Sequence, residues 1–469
     1  MTEPTVRVEG LASKGHGHWV FALTGFAVLS LMFQWASLHF GFKRYLLSAE
    51  MLMALLLFVM GLRWLGIGLF LATAGLEMAL GATAVFRLID IGQVLDIAEY
   101  LFEARVSYLM MLVLLLVFAA TSFWIAASRL KGARWVWLPL IASVLMLVQW
   151  QLSFAKATFF SPPFAERNEL LFGSSALFVH RTLEENRRRH VHIGADAESA
   201  EYLPIAHPSA SSLTLGERPT SRRILFVVVE SWGLPKDSAS IEQQIHALRT
   251  SDRVRNFKLL DIDAVGTTAA GELRELCGRM PTRLNFRQMT RETVGLCLPA
   301  RLAEQGYKTV SLHAAFGAMY RRLLWYPVLG FGESLFRETL PFKGTQCHSF
   351  PGYCDRDLFG VVQEKMQKDK VFLYWLTLNS HVPYDRRDIA KYRGDLCDSA
   401  FGVNYSEQLC NYQNLHVQFF EQLTKLIESD SMRGVEVVVV GDHAPLFNGA
   451  DSLKQFFADK VPALHFSVL

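Results

Sequence analysis

The stretch Arg223-Ile-Leu-Phe-Val-Val-Val-Glu-Ser-Trp-Gly233 decides the fold of this chain. Residues 224–229 are all apolar, and a run of strand length without polar alternation is typical of a strand buried on both faces of a parallel sheet. The run stops at Glu230. The sequence therefore predicts a buried central strand with a carboxylate directly after its carboxyl end.

Two later segments repeat this pattern. Residues 370–378 form a largely apolar run that ends at Asn379-Ser-His381, and residues 435–440 form another that ends at Gly441-Asp442-His443. Helical patterns, such as that of residues 407–428, lie between the runs. Strands that alternate with helices predict an α/β domain with a mostly parallel sheet and helices on both faces.

The predicted strand ends gather polar side chains at one edge of the sheet. In open α/β sheets, ligands bind beyond the carboxyl ends of the strands, which is where Glu230, His381, Asp442 and His443 follow. Carboxylate oxygens and imidazole nitrogens are ligands that zinc and manganese accept. Each residue alone also suits a loop or a helix cap, but the coincidence of three strand ends favours a ligand site.

Composition separates the chain into two unlike parts. The 469 residues are 51% hydrophobic and 19% charged, with a net charge of +3. Long apolar runs fill the first ~160 residues, and the remainder has an ordinary globular composition. Neither a basic stripe nor basic residues interleaved with aromatic ones indicate a nucleic-acid partner.

The apolar runs of the first part are long enough to cross a membrane, which takes about 20 residues per helix. The predicted spans are residues 18–40, 45–62, 65–86, 107–128 and 135–155. The second span is short and is interrupted by Glu50. Residues 1–156 are therefore predicted to form a helical transmembrane domain.

The charges of one loop indicate the topology. The loop between the last two predicted spans carries Arg129, Lys131 and Arg134. Short positive loops face the cytoplasm, so an odd number of spans delivers everything after residue ~156 to the outside. The sequence predicts a juxtamembrane linker at residues 157–221 and a catalytic domain at residues 222–469.

All six cysteines lie in the second part of the chain. They are Cys277, Cys297, Cys347, Cys354, Cys397 and Cys410. An even count confined to one domain indicates disulfides and an oxidising compartment, which agrees with the predicted topology. Pairing by proximity predicts the disulfides 277–297, 347–354 and 397–410, although other connectivities stay open; the second is favoured because only a short loop must close.

Five stretches occur in an order that carries a family resemblance. They are RILFVVVESWG (223–233), GTTAAGELREL (266–276), LPARLAEQGYKTVSLHAAFGAMYRR (298–322), FLYWLTLNSHVPYD (372–385) and VVVVGDHAPLF (437–447). Together they resemble the extracytoplasmic domain shared by lipoteichoic acid synthases, periplasmic-glucan phosphoglycerol transferases and phosphoethanolamine transferases, which belong to the alkaline-phosphatase/sulfatase-like superfamily. The resemblance covers about residues 222–469, and five preceding spans are similar as well.

The resemblance implies an α/β alkaline-phosphatase/sulfatase-like fold and a single divalent metal ion in the catalytic domain. The ligands it implies are Glu230, Thr268, Asp442 and His443. Zinc is the expected ion and manganese the alternative, because the set combines oxygen donors with one imidazole.

The resemblance also implies that Thr268 is the nucleophile. The family's threonine is followed four residues later by a glutamate, here Glu272; the neighbouring Thr267 is the second choice. A threonine hydroxyl needs a metal ion or a base to become nucleophilic at neutral pH. The start of a predicted helix at residues 269–276 favours an anion beside it.

Further residues match the phosphate and head-group pocket of the family. His381 matches a histidine near the substrate phosphate, and His313 with Arg322 matches a histidine–arginine pair that lines the pocket. Either imidazole suits the role of the acid that protonates the leaving group. Tyr320 and Trp325 follow on the same segment and are expected to form an aromatic wall that binds an ammonium group by cation–π attraction.

The implied activity is the transfer of a phospho-head-group from a membrane phospholipid to an extracytoplasmic glycan or lipid-linked glycan, through a phosphothreonine intermediate. The cysteine-rich domain favours phosphoethanolamine over phosphoglycerol. Two departures are Tyr320, where lipoteichoic acid synthases tend to have tryptophan, and GDHAPLF (441–447), where the phosphoethanolamine branch commonly has DHGES. The expected location is the bacterial cytoplasmic (inner) membrane, with several spans and a periplasmic or extracellular catalytic domain.

One motif favours a rival activity. Cys297-Leu-Pro-Ala-Arg301 satisfies C-x-P-x-R, the pattern from which sulfatases make formylglycine, so a sulfatase- or phosphatase-type ester hydrolase that uses Cys297 is an alternative. Pro299 also suits the first turn of a helix, and Cys297 is spaced for a disulfide to Cys277. A membrane sensor without catalytic activity is a third interpretation, which the presence of all the metal-site residues disfavours.

Overall fold

The structure is a computed structural model of the chain. It describes residues 30–31, 33–35, 44–60, 62–85, 94, 110, 113–114, 116–118, 121, 124, 170–190, 202–282, 286–402, 404–447 and 450–469. The chain divides into two compact units, one formed by residues 1–84 and 104–182 and the other by residues 85–103 and 183–469.

The first unit contains a small parallel sheet and several helices. Its elements are β1 (Tyr45–Ser48), α1 (Ala49–Val59), α2 (Arg63–Val85), β2 (Leu170–Gly173) and α3 (Ser175–His190), the last of which continues into the second unit. Strands β1 and β2 pair in parallel. The Glu50 carboxylate accepts hydrogen bonds from the backbone N–H groups of Ser175 (3.0 Å) and Ala176 (3.1 Å), so it caps the amino end of α3.

Among the described residues, one helix is long and apolar enough to cross a membrane, namely α2 over Trp64–Gly81. It coincides with the predicted span 65–86. The predicted span 45–62 is instead a strand followed by the 11-residue helix α1, which at about 16 Å is shorter than the ~30 Å hydrocarbon core of a bilayer. The other predicted spans lie wholly or mostly outside the described residues; they are 18–40, 107–128 and 135–155.

The second unit is an α/β domain built around a seven-stranded sheet. Its strands are β3 (Tyr202–Pro204), β4 (Arg223–Val229), β5 (Val254–Asp263), β6 (Arg279–Pro281), β7 (Lys308–His313), β8 (Glu333–Leu335), β9 (Val371–Leu376), β10 (Glu436–Gly441) and β11 (Lys460–Val468). Its helices are α4 (Ala210–Thr214), α5 (Ser238–Arg249), α6 (Thr268–Cys277), α7 (Arg291–Val294), α8 (Leu298–Glu304), α9 (Arg322–Leu329), α10 (Phe359–Met366), α11 (Asp395–Phe401), α12 (Glu407–Ile427) and α13 (Ala450–Lys454). Short 3-10 turns lie at Met319–Arg321, Asp355–Asp357, Arg386–Asp388 and Asp430–Met432.

The large sheet has the strand order β5-β11-β10-β4-β9-β7-β8. Strands β10, β4, β9, β7 and β8 pair in parallel, whereas β11 is antiparallel to both of its neighbours. The predicted mostly parallel sheet is therefore confirmed. The three apolar runs of the sequence are β4, β9 and β10, and they occupy the middle of the sheet, as expected for strands buried on both faces.

Both faces of the central strands are covered by helices. Successive strand residues point to opposite faces. On one face, Trp375 of β9 packs against Phe419 of α12, with ring centroids 5.6 Å apart. On the other face, Tyr374 lies 6.4 Å from Phe226 of β4 and 6.2 Å from Tyr326 of α9. Aromatic packing on the two faces thus fixes the strands whose ends carry the polar side chains.

Part of the predicted linker at residues 157–221 belongs to the catalytic domain. Strand β3 pairs antiparallel with β6. In α4, the backbone N–H of Ser211 donates a hydrogen bond to a carboxylate oxygen of Glu275 (2.9 Å). Residues 202–221 are therefore held by strand pairing and by a buried hydrogen bond rather than forming a free connection.

Four of the six cysteines form two of the predicted disulfides, Cys277–Cys297 and Cys397–Cys410. Cys347 and Cys354 are buried, and their Sγ atoms are 2.7 Å apart without an assigned bond. Two unbonded sulfur atoms do not approach each other this closely, so the third disulfide stays a prediction. The hairpin that carries them fixes both backbones: the N–H of Cys347 donates to Gly352 and that of Cys354 to Thr345, both at 2.9 Å.

Candidate metal centre

Glu230 and Asp442 meet because their strands are neighbours in the sheet. Strands β4 and β10 pair in parallel with Val229 opposite Gly441, so the residues after the two strands lie at the same edge. Donor atoms of Glu230, Asp442 and His443 all lie within 4.8 Å of one another. The Nε2 atom of His443 is 3.4 Å from Asp442 Oδ2 and 3.6 Å from Glu230 Oε1. We call these three residues the acidic–histidine cluster.

The carboxylates of the cluster are buried and close together. Burial, and then the adjacent Asp442 carboxylate, raise the pKa of Glu230 well above its ordinary value. Asp442 Oδ1 accepts hydrogen bonds from the backbone N–H groups of Ser231 and His443, both at 2.7 Å. The buried Oδ2 atom has no hydrogen-bond partner among the described residues. Neighbouring buried carboxylates repel each other unless a cation compensates them, so the cluster fits a divalent metal ion.

The histidine of the cluster is oriented for metal binding. His443 Nδ1 lies 2.9 Å from the carbonyl oxygen of Ala444. In the tautomer that donates a proton to this carbonyl, Nε2 carries the lone pair and faces the two carboxylates. Oxygen donors combined with one imidazole suit zinc and manganese.

Thr268 lies at the amino end of α6, beside the cluster. Its hydroxyl donates a hydrogen bond to Glu230 Oε2 (3.2 Å). Thr267 is the N-cap residue of α6, and its buried hydroxyl has no hydrogen-bond partner within the described part of the chain. The free N–H groups and the dipole of a helix favour an anion at this end. Of the two threonines, Thr268 is the one whose hydroxyl faces the cluster.

Helix α6 packs directly onto the end of β10. A Cβ atom on Gly271 would lie 2.7 Å from the carbonyl oxygen of Asp442 and 2.9 Å from its Cα and Cβ atoms, so this close approach requires glycine. The guanidinium of Arg274 donates to the carbonyl oxygens of Gly441 (2.7 Å) and Asp442 (2.8 Å). These contacts set the distance between Thr268 and the cluster.

Three hydroxyl groups that the sequence analysis missed support the segment that begins at Glu230. Ser231 adopts a φ of 56° and donates from Oγ to Glu230 Oε1 (3.0 Å). Ser380 Oγ donates to the carbonyl oxygen of Glu230 (2.6 Å), and the hydroxyl of Tyr412 accepts from the N–H of Gly233 (3.2 Å). Ser231 could have been found from its position next to Glu230, whereas Ser380 and Tyr412 approach only through the fold.

The two predicted catalytic histidines also lie at this edge. His381 follows β9 and is close enough to His443 and Asp442 for their charges to affect it; above all, loss of solvation lowers the pKa of His381 to about 4. His313 ends β7, where burial, and then the charge of Arg322, lower its pKa well below the ordinary value. In both rings Nδ1 lies near a backbone carbonyl oxygen, at 2.6 Å in His381 and 3.0 Å in His313. Both imidazoles are therefore neutral at pH 7 and have fixed orientations.

Arg322 is buried in an ion pair with Glu272 of α6. Its Nη2 atom lies 2.7 Å from Glu272 Oε2, and the hydroxyls of Tyr326 and Tyr374 donate to the other oxygen of this carboxylate. Although burial opposes the charged form, the Glu272 carboxylate holds the pKa of Arg322 above its ordinary value. The guanidinium also lies 5.3 Å from the ring centroid of Tyr320. The side chain predicted to bind phosphate thus already has a countercharge.

The predicted aromatic wall is wrong for Trp325. This side chain is fully buried, and Tyr320 is 8% exposed. The Nε1 atom of Trp325 donates to the carbonyl oxygen of Tyr320 (2.8 Å), and its ring packs against Phe286 with centroids 5.3 Å apart. The backbone turns sharply before α9, where Tyr320 and Arg321 adopt φ values of 51° and 55°. After this turn, Trp325 points into the core.

The family model described as Sulfatase matches residues 222–461, about half of the chain. The chain belongs to the sulfatase family. The matched residues contain the acidic–histidine cluster, Thr268 and both catalytic histidine candidates. The predicted membership of the sulfatase-like superfamily is thereby confirmed.

Several solved structures are similar to this sulfatase-family chain. The lipoteichoic acid synthase LtaP from Listeria monocytogenes is 18% identical, with a TM-score of 0.40 and coverage of 56% of this chain and 68% of that one. The zinc complex of the C-terminal periplasmic domain of EptC from Escherichia coli is 15% identical, with a TM-score of 0.39 and coverage of 53% and 73%. The integral membrane protein lipooligosaccharide phosphoethanolamine transferase A (EptA) from Neisseria meningitidis is 13% identical, with a TM-score of 0.39 and coverage of 98% and 83%. No curated protein matches the chain.

Because the chain belongs to the sulfatase family, Cys297 in the C-x-P-x-R match is a candidate for conversion to formylglycine. The structure argues against this role. The sulfur of Cys297 is bonded to Cys277, and the residue is 1% exposed. Cys297 is also the N-cap residue of α8, with Pro299 in the first turn. Conversion to formylglycine requires a free cysteine side chain. The C-x-P-x-R match in this chain therefore reflects a disulfide and the start of a helix.

Proposed function

We propose that this sulfatase-family protein transfers a phospho-head-group from a membrane phospholipid to a glycan or lipid-linked glycan outside the cytoplasmic membrane, through a phosphothreonine at Thr268. The observation that carries the proposal is the hydrogen bond from the Thr268 hydroxyl to Glu230, at the amino end of α6 and beside the acidic–histidine cluster. A hydroxyl in this place can attack phosphorus while helix N–H groups stabilise the phosphoryl oxygens.

The proposal includes a divalent metal ion, zinc by preference and manganese as the alternative. Glu230, Thr268, Asp442 and His443 would hold it. When bound, such an ion neutralises phosphoryl oxygens and lowers the pKa of a coordinated hydroxyl. The support for it is the chemistry of the donor set and the buried Asp442 Oδ2 atom, which lacks a hydrogen-bond partner among the described residues.

The proposed reaction has two balanced halves. In the first, Thr268 Oγ forms a bond to phosphorus, the bond from phosphorus to the diacylglycerol oxygen breaks, and an imidazole protonates that oxygen. The hydroxyl proton of Thr268 leaves along its hydrogen bond to Glu230. In the second half, the acceptor oxygen forms a bond to phosphorus, the bond from phosphorus to Thr268 Oγ breaks, an imidazole takes the acceptor's proton, and Glu230 returns the proton that restores the Thr268 hydroxyl.

His381 is the preferred acid of the first half, and His313 the alternative. A neutral imidazole cannot donate this proton, and the pKa of His381 is about 4 in the ligand-free protein. The negative charge of an incoming phosphodiester raises the pKa of a nearby imidazole. Substrate binding would therefore generate the protonated form where it is needed. His381 is half-buried, whereas His313 is 4% exposed, and a group that must reach substrate favours the former.

Phosphoethanolamine is the preferred head group and phosphoglycerol the alternative. The cysteine-rich character of the domain, with two disulfides formed, supports the first. Tyr320 is the remaining aromatic candidate for the ammonium group, which cation–π attraction would stabilise by about 0.5–2 kcal/mol. Its ring lies 5.3 Å from the Arg322 guanidinium, so the ammonium would share or displace this contact.

The same proposal gives the protein a multi-pass anchor in the bacterial cytoplasmic (inner) membrane and a periplasmic or extracellular catalytic domain. The apolar helix α2 supports a membrane anchor. The two disulfides support an oxidising compartment. A membrane anchor in the same chain suits a lipid donor.

The test is incubation of the full-length protein in lipid vesicles with phosphatidylethanolamine or phosphatidylglycerol labelled in the head group. We expect diacylglycerol release from phosphatidylethanolamine and label on the protein, both lost in Thr268→Ala and largely kept in Thr267→Ala. Preferential reaction of phosphatidylglycerol would reverse the head-group assignment. Release of free head group without bound label would favour ester hydrolysis, the second candidate function, and no release from either lipid would overturn both.

A further inference from the structure

We propose that Asp355 is a positioning residue for His381: it fixes the turn that carries this histidine, and the hairpin of Cys347 and Cys354 holds Asp355 in place. The inference rests on the proposed function, because it assumes that His381 acts on the leaving group. Asp355 has no role in the metal cluster or in the phosphothreonine chemistry.

The carboxylate of Asp355 binds the backbone just after β9. Both of its oxygens accept from the N–H of Leu378 (3.0 Å each), and Oδ2 also accepts from the N–H of Asn379 (2.7 Å). In return, the side-chain oxygen of Asn379 accepts from the backbone N–H of Asp355 (2.5 Å). Asp355 is 4% exposed. Such a buried, reciprocal arrangement fixes two chain segments to each other, because each lost bond would leave a buried polar group unsatisfied.

The bonded segment leads directly to His381. The N–H of His381 donates to the carbonyl oxygen of Leu378 (3.1 Å), which closes a turn over residues 378–381. Leu378, the first residue of this turn, therefore donates its N–H to Asp355 and accepts the N–H of His381 at its carbonyl oxygen. A shift of Asp355 would be transmitted through a single residue to the backbone of His381.

The thiol hairpin, residues 345–354, contacts the same turn at two further points. The ring of Phe350 lies 4.4 Å from the ring of His381, measured between centroids. A Cβ atom on Gly352 would lie 2.3 Å from a methyl carbon of Leu378, so the hairpin lies directly on the turn. The hairpin thus contacts His381 on its ring and Leu378 on its side chain, while Asp355, which follows it, binds the backbone.

The hairpin is itself held at both ends. Its tip is fixed by Asp388, whose carboxylate accepts from the N–H groups of His348 and Ser349, both at 2.9 Å. Its base is fixed where the Cys347 and Cys354 sulfur atoms are 2.7 Å apart. A rigid hairpin makes the position of Asp355 independent of the substrate, as expected for a residue that sets geometry before binding.

The test compares two donors that differ only in their need for an acid. With a phospholipid donor, the leaving group is the diacylglycerol alkoxide, which must be protonated. With p-nitrophenyl phosphoethanolamine, the leaving group is p-nitrophenolate, which leaves without a proton. We expect Asp355→Asn in the full-length protein to lower kcat on the phospholipid by about 10–100-fold, since small misplacement of a catalytic group has effects of this order, and to change turnover of the aryl donor by less than about threefold. His381→Gln should give the same pattern, and the double variant should lose little more.

Asp430→Asn is the matched control, because Asp430 is exposed and its carboxylate pairs with Arg253 and Arg433 rather than with the thiol hairpin or the 378–381 turn. It should leave both rates within about twofold, well inside the spread expected of a substitution away from the chemistry. Equal losses of Asp355→Asn on both donors would show a general structural role and overturn the proposal.

Amide hydrogen exchange supplies a readout that does not depend on activity. Peptides covering residues 376–384 should exchange faster in Asp355→Asn, while those covering 223–229 should not change. Unchanged exchange at 376–384 would overturn the inference about Asp355 alone. Faster exchange in a protein that turns over neither donor would instead refute the proposed function and, with it, the role assigned to His381.

Discussion

The guanidinium of Arg322 and the carboxylate of Glu272 form a fully buried ion pair, in which Nη2 and Nε lie 2.7 Å and 3.1 Å from the same oxygen. Glu272 lies one turn after Thr268 on α6, and Arg322 begins α9. The pair therefore ties the helix of the proposed nucleophile to the segment that follows His313.

Breaking this pair should destabilise the domain. Glu272→Gln leaves the Arg322 charge buried without a countercharge, and we expect it to lower the free energy of unfolding by about 3–5 kcal/mol. Urea denaturation followed by tryptophan fluorescence measures the change. The control is Glu242→Gln, which removes an exposed pair with Arg249 and should change the free energy by less than about 1 kcal/mol. Equally small changes in both variants would contradict the prediction.

Metal analysis tests the donor set directly. Purified full-length protein should retain about one equivalent of zinc or manganese, and Glu230→Ala and Asp442→Ala should each lose most of it, because each removes an oxygen donor from the cluster. Asp451→Ala, at an exposed position of α13, should keep the full amount. If both ligand variants retain the metal, the acidic–histidine cluster is not its site.

Gly271→Ala should impair both stability and transfer. Alanine is the better helix former by up to about 1 kcal/mol, but its Cβ atom would meet the carbonyl oxygen of Asp442 at 2.7 Å. We expect a net loss of about 1–3 kcal/mol and a fall in the transfer rate of up to about 100-fold, since α6 carries Thr268. Gly360→Ala in α10 is the matched control, because a Cβ atom there meets nothing within 4 Å. A variant at 271 as active and stable as that control would show that α6 can move.

The loss of folding stability at low pH should depend in part on His416. This residue of α12 is fully buried, and burial lowers its pKa to about 4. Between pH 4 and the ordinary value of about 6.5, the unfolded state binds the extra proton, so stability is complete above pH 6.5 and falls with decreasing pH, by up to about 1.4 kcal/mol per unit.

Urea denaturation at a series of pH values measures this slope. In His416→Gln the decline between pH 6.5 and pH 4 should be less steep than in the unmodified protein, although His313 and His381 still contribute. His246→Gln, at an exposed position of α5, should leave the slope unchanged. An unaltered slope in His416→Gln would mean that this histidine does not drive acid unfolding.

The sequence was sufficient to predict that Glu230, Asp442 and His443 lie together at one edge of the sheet, because the signal for each is local. Each of these residues follows an apolar run typical of a buried strand, and parallel strands have their carboxyl ends at the same edge of the sheet. The adjacency of β4 and β10, which brings Glu230 and Asp442 into contact, became known only from the structure. The prediction of Thr268 depended on the family resemblance, and the hydrogen bond to Glu230 now supports it over Thr267.

The burial of individual side chains, and contacts between residues far apart in the sequence, could not be predicted in this way. Trp325 is one of several aromatic residues after His313, and nothing in the local pattern shows that the backbone turns at Tyr320 and sends it into the core. Asp355 binds residues 23 and 24 positions later, and a contact over this separation produces no periodic pattern in the sequence. The pairing of β3 with β6 was missed for the same reason, so residues 202–221 were interpreted as a linker.

Strand β11 lies between β10 and β5 and is antiparallel to both. Strand β5 ends at residue 263 and β11 begins at residue 460, so 197 positions (460 − 263) separate them. During synthesis, β5 therefore has no neighbour in the sheet until the ribosome has made residue 468. For that interval, β5 and the open edge of β10 are free to pair with other chains. The sheet therefore closes last at the edge that was started early, and the domain can be complete only after its last strand has been made.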